Sequence, residues 1–152
     1  MGVRVKVRIK YRGASLDLVA LVNTGYETDV PEILVPMSVA EKLGLLPKLP
    51  NGTIIEMYKT ASGLMRVYRV GGAYVSLLIG GVEGRSIETY IVISEYTDES
   101  LISDQLASEF GIVIEDPAKG LWRLRGESLT RSSEKQFPIQ SNIEELNDFR
   151  KG

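Results

Sequence analysis

The chain has 152 residues, of which 43% are hydrophobic and 25% charged, with a formal net charge of −2. That suits one domain built on a single core, and nothing in the charge points to nucleic acid as a partner. With no Cys and no His, it has no disulfides, no thiol nucleophile, no zinc site with thiolate or imidazole ligands and no triad using His as base. Acid–base chemistry near neutrality therefore falls mainly to carboxylates, and no metal or cofactor is expected. No apolar run reaches the roughly 18–20 residues that span a bilayer. The N-terminus alternates like a strand and lacks the charged-then-apolar pattern of a signal peptide. A cytoplasmic protein without a membrane partner is the simplest expectation.

Val3, Val5, Val7 and Ile9 alternate with Arg4, Lys6, Arg8 and Lys10, predicting a half-buried strand with a cationic outer face. Arg12-Gly13-Ala14 turns the chain into a second strand, Ser15 to Val22. Asn23-Thr24-Gly25 and a polar stretch lead to Ile33-Leu34-Val35. A short helix follows, with Ser38 as N-cap, Glu41 at the capping-box position and Gly44 as C-cap. Pro47, Pro50, Asn51 and Gly52 make a loop. Ile54 to Tyr58 and Leu64 to Val70 predict a hairpin tipped by Ala61-Ser62-Gly63. Gly71-Gly72 breaks the pattern before a second strand pair, Ala73 to Ile79 and Ile87 to Ile93. A helix is predicted from Ser100 to Phe110, ended by Gly111. Ile112 to Ile114 and Leu121 to Leu124 close the domain, taken as residues 1–126. Residues 127–152 are expected to form a polar tail, flexible or partly helical around Ser141 to Phe149.

Ala40-Glu41-Lys42-Leu43-Gly44-Leu45 is echoed by Ala107-Ser108-Glu109-Phe110-Gly111-Ile112. A half-domain duplicated within one chain would produce this echo. So would chance, because glycine ends about a third to a half of helices.

The segment Ala20-Leu21-Val22-Asn23-Thr24-Gly25 resembles the Ala-Leu-Val-Asp-Thr-Gly of retropepsin-like (retroviral-type) aspartic proteases. Asn23 stands at the position of the catalytic Asp. The resemblance covers most of residues 3–125 and includes the hairpin with its glycine-containing tip, which matches the family's flap. Leu101-Ile102-Ser103-Asp104 resembles the corresponding segment of the second half, except that Ser103 replaces a glycine. Tyr26 also departs, because the family usually has Ala or Ser there.

The resemblance implies an all-β fold with one or two short helices, a closed barrel with a flap, and a homodimer. It implies an aspartic-type endopeptidase acting on peptide or protein substrates. Two carboxylates held close share one proton; the ionised one activates water and the protonated one donates to the carbonyl oxygen. One motif per chain means that the second acid comes from a second chain. Thr24 is expected to support the paired loops, and Gly25 to allow close backbone approach. Glu27, Ala61, Ser62 and Gly63 are the expected substrate-binding residues. Val30, Ile33, Leu64, Met65 and Leu78 suggest a preference for hydrophobic side chains.

An amide at Asn23 cannot give or take the proton, so this form is expected to be inactive or strongly impaired. The retained surroundings favour an engineered inactive mutant. In the tail, Phe137–Pro138 resembles the aromatic–Pro bonds that retroviral proteases cut and is read as a self-processing site. Phe137 anchoring the tail in an apolar groove is the other reading. Other readings also stand beside the main one: Asn23-Thr24-Gly25 as a plain turn, a naturally inactive peptide-binding or dimerisation module, and a small β-barrel carrier. Asp104 and Glu109 are expected to be solvated helix residues, and Trp122 and Leu124 to be core or dimer interface.

Overall fold

The structure is a computed structural model that describes residues 2–135. The strands in chain order are β1 (Arg4–Tyr11), β2 (Ala14–Val22), β3 (Glu32–Pro36), β4 (Ile54–Thr60), β5 (Gly63–Ile79), β6 (Val82–Glu83), β7 (Ile87–Ser94), β8 (Ser100–Ile102), β9 (Ile112–Asp116), β10 (Leu121–Leu124) and β11 (Arg131–Ser132). Two short helices interrupt them, α1 (Met37–Lys42) after β3 and α2 (Asp104–Phe110) after β8. The fold is therefore mostly β, as the alternating sequence predicts.

β1, β2, β8, β3, β7 and β5 pair in that order, and β1 pairs again with β5, which closes a six-stranded barrel. Closure removes the exposed edges that an open sheet of this size would carry. The alternation in β1 does what it predicts: Val5, Val7 and Ile9 are at most 1% exposed and face the core. β3 is buried along its whole length, since it lies between β7, to which it is parallel, and β8, to which it is antiparallel. The core joins these strands to Val39, Ala40, Leu43 and Leu45 around α1, to Leu106 and Ala107 of α2, and to Trp122. Trp122 is thus a core residue within the chain.

Three local expectations are corrected. Helix α1 begins at Met37, with Pro36 at its N-cap and no side-chain capping bond; Ser38 lies inside the first turn, because β3 runs on to Pro36. Its end does follow expectation. Gly44, at φ 77°, lets the Leu45 and Gly44 amides bond back to the Ala40 and Glu41 carbonyls. The helix predicted from Ser100 starts only at Asp104, because Ser100–Ile102 is drawn into the barrel as β8 between β2 and β3. The strands expected on either side of Gly71-Gly72 form one 17-residue strand, β5, whose register shifts between Val70 and Ala73. The glycines make a bulge, which lets one strand turn the corner of a barrel without ending.

β9, β10 and β11 form a separate three-stranded sheet. Past residue 126 the described chain stays on the body: Ser133 Oγ accepts from the Arg4 amide at 3.0 Å, and the Glu134 amide donates to the Arg4 carbonyl at 2.9 Å. Phe137 and Pro138 lie outside the described residues.

Candidate functional site

β2 delivers Asn23 to the surface. The Asn23 amide donates to the Ile102 carbonyl of β8 at 3.2 Å, which holds the end of β2 against its parallel neighbour. The Asn23 Oδ1 accepts from the Gly25 amide at 3.1 Å, and its carbonyl accepts from the Tyr26 amide at 3.0 Å. The result is a tight turn closed by its own side chain, as Asn favours. Gly25 is part of that closure, since a Cβ there would stand 3.3 Å from the Asn23 Oδ1.

The turn opens on a cleft of about 1000 Å³. One wall is the segment from Asn23 to Val30. The facing wall is the β4–β5 hairpin, through Glu56 to Ala61 and Met65. Of the expected site residues, Asn23, Gly25, Glu27 and Ala61 line this cleft, whereas Thr24, Ser62 and Gly63 are exposed residues outside its lining. The hairpin tip is held locally, with Thr60 Oγ1 donating to the Gly63 carbonyl at 2.8 Å. Of the apolar residues proposed as substrate contacts, Val30 and Met65 line the cleft. Ile33, Leu64 and Leu78 do not: Ile33 is buried in the core, Leu78 is buried on the face of β5 opposite the core residues Val75 and Leu77, and Leu64 is exposed outside the lining. Leu34, Met57 and Leu101 supply apolar lining in their place.

The buried floor of the cleft was not foreseen. Glu32, the first residue of β3, is only 4% exposed. Its Oε1 accepts from the Tyr26 hydroxyl at 2.7 Å and from the Tyr58 hydroxyl at 2.8 Å. Its Oε2 accepts from Arg69 Nε at 3.2 Å. The Arg69 guanidinium in turn lies 3.7 Å from the centre of the Tyr90 ring, a cation–π stack. Every charged partner is thus compensated, as burial requires. Burial first, and then the neighbouring Glu32 carboxylate, raise the Tyr26 phenol well above its ordinary range. The Tyr58 phenol is raised in the same way, by burial and by its hydrogen bond to Glu32. Both hydroxyls therefore stay protonated and remain donors at any ordinary pH. The one sequence signal was an acid inside the apolar run from Val30 to Pro36; its partners come from elsewhere in the chain.

Ser103 and Asp104 complete the support. Ser103, fully buried, accepts through Oγ from the Glu32 amide at 3.0 Å and from the Leu106 amide at 3.3 Å. Asp104 is more than a solvated helix residue: its Oδ1 accepts from the Thr28 amide at 3.0 Å, and its own amide donates to the Tyr26 carbonyl at 2.9 Å. Glu109 is exposed and pairs with Arg85 at 3.3 Å.

The sequence holds one Asn-Thr-Gly and no Asp-Thr-Gly. β2 and β7 run parallel to β8 and β3 respectively, with Val22 opposite Ile102 and Ile93 opposite Val35. By the echo of Ala40 and Gly44 in Ala107 and Gly111, Ile102 corresponds to Val35, so the buried Ser94 follows Ile93 where Asn23 follows Val22. No protein-family model matches the sequence, and no curated protein matches it.

Proposed function

We propose that the chain is one half of a two-fold symmetric aspartic-type endopeptidase in which Asn23 replaces the catalytic acid. In this form it holds extended peptide and hardly cleaves it. The observation that carries the reading is the position of Asn23: at the end of β2, in a tight Asn-Thr-Gly turn, facing a cleft walled on its other side by the β4–β5 hairpin. A single Asn-Thr-Gly in the sequence fits an active site completed by a second copy. Thr24, exposed at the turn, is then available to the partner loop. An extended ligand would lie between the two walls, with Leu34, Met57 and Met65 offering apolar contact.

The chemistry needs one change. Asn23→Asp restores a carboxylate on each chain, and two such groups across the axis share a proton. The variant is expected to cleave peptides at acidic pH, with inhibition by a statine-containing peptide. The parent chain is expected to be slower by several powers of ten. Absence of peptidase activity in the variant at every pH sinks the proposal. In the same sample, mass spectrometry tests self-processing: cleavage after Phe137 supports it, and an intact C-terminus argues against it.

A naturally inactive peptide-binding or dimerisation module is the second reading. Tyr26 favours it, because its ring lines the cleft where the resembling family carries a small residue. The codon at position 23 of the natural gene separates the two: Asp means an engineered mutant, Asn a pseudoenzyme.

A further inference from the structure

We propose that Glu32 is a positioning residue. It clasps the β4–β5 hairpin to the loop that follows Asn23, and so sets the spacing between the two walls of the cleft.

The argument starts from what holds each wall. Among the described residues β4 pairs only with β5, and the Tyr58 hydroxyl makes the only side-chain hydrogen bond from β4 to anything outside the β4–β5 hairpin. The opposite wall bends away from β2 after Asn23, and Tyr26 sends its hydroxyl to the same acceptor. One carboxylate oxygen therefore receives both walls, 2.7 and 2.8 Å away. The two rings meet above it with centroids 6.5 Å apart.

Glu32 is fitted to hold this position. Its backbone is fixed on both sides, since its amide donates to Ser103 Oγ and its carbonyl accepts from the Ser103 amide at 3.0 Å. Its second oxygen is held by Arg69, which is stacked on Tyr90, the residue paired with Glu32 across β3 and β7. Hydrogen bonds to an ionised acceptor are stronger than neutral ones, and more so in a buried site. A neutral acceptor of the same shape would leave the Arg69 charge without its partner.

The consequence for ligand binding rests on the function proposed above; the clasp itself does not. Amide hydrogen exchange on the full chain, without ligand, tests it. In Tyr58→Phe the β4 amides are expected to exchange about tenfold faster, with β1 and β2 unchanged. In Tyr26→Phe the acceleration is expected in residues 24–30 instead. Glu32→Gln is expected to loosen both walls; if it fails to fold, the two Phe variants still decide. Unchanged exchange in the hairpin of Tyr58→Phe and in the loop of Tyr26→Phe overturns the clasp. So does acceleration spread evenly over the barrel, which would mark a general role in stability. Binding of a statine-containing peptide is expected to weaken several-fold in Tyr58→Phe. If the parent chain fails to bind that peptide, the functional reading fails while exchange still decides the clasp.

Discussion

On the outer face of the barrel, Glu83 accepts from Ser76 Oγ at 2.6 Å and pairs with Lys10 at 2.8 Å and Arg8 at 3.1 Å. Lys10 foremost, then Ser76 and Arg8, hold its carboxyl at about 2, below its usual 4.5. The folded state therefore keeps this proton off more strongly than the unfolded chain does. The resulting stabilisation is fully present above about pH 4.5 and is lost as pH falls toward 2. Glu83→Gln should lower the denaturation midpoint at pH 6. That difference should shrink below pH 4.5 and disappear near pH 2 in a urea series taken across pH. The cationic stripe on β1 was visible in the sequence, but its partner Glu83 was not, because 73 residues separate it from Lys10.

At the scale of elements, the barrel pairings are unchanged when β1, β2, β3 and α1 are exchanged for β5, β7, β8 and α2. The echo between the two glycine-ended helices is part of that symmetry. Among the described residues β4 and β6 have no counterpart, and β4 contributes to the hairpin wall of the cleft. Ser103 shows why the second half is not a simple copy. Where the resemblance led to glycine, a buried hydroxyl caps α2 and anchors β3 at once. Ser103→Ala leaves two amides without their acceptor and should cost about 2 kcal/mol, measurable by urea unfolding. A cost near zero would show that neither bond matters to folding.

For the whole molecule, the barrel is tied to the last described segment. Ser133 Oγ reaches the Gly120 carbonyl at 2.6 Å and the Gly2 carbonyl at 3.2 Å, as well as the Arg4 amide, and β11 pairs with β10. Gly120 leaves room for this contact: at φ 70°, a Cβ there would stand 2.8 Å from Ser133 Oγ. A chain ending at Gly126 should lose about 1–3 kcal/mol, seen as a lower urea midpoint with the barrel still formed. An unchanged midpoint would mean that these bonds add nothing to folding.

The sequence by itself determined the all-β class, the strand alternation in β1, the two glycine helix ends and the Asn23-Thr24-Gly25 turn. Each depends on residues a few positions apart, so spacing and side-chain type suffice to specify it. Only the tertiary structure decided that Ser100–Ile102 is a strand, that Gly71-Gly72 bends one long strand, and that Glu32 joins Tyr26, Tyr58 and Arg69 beneath the cleft. Those outcomes depend on what barrel closure brings alongside. A three-residue strand has no stability until its neighbours pair with it, and a buried carboxylate is acceptable only where distant donors converge on it.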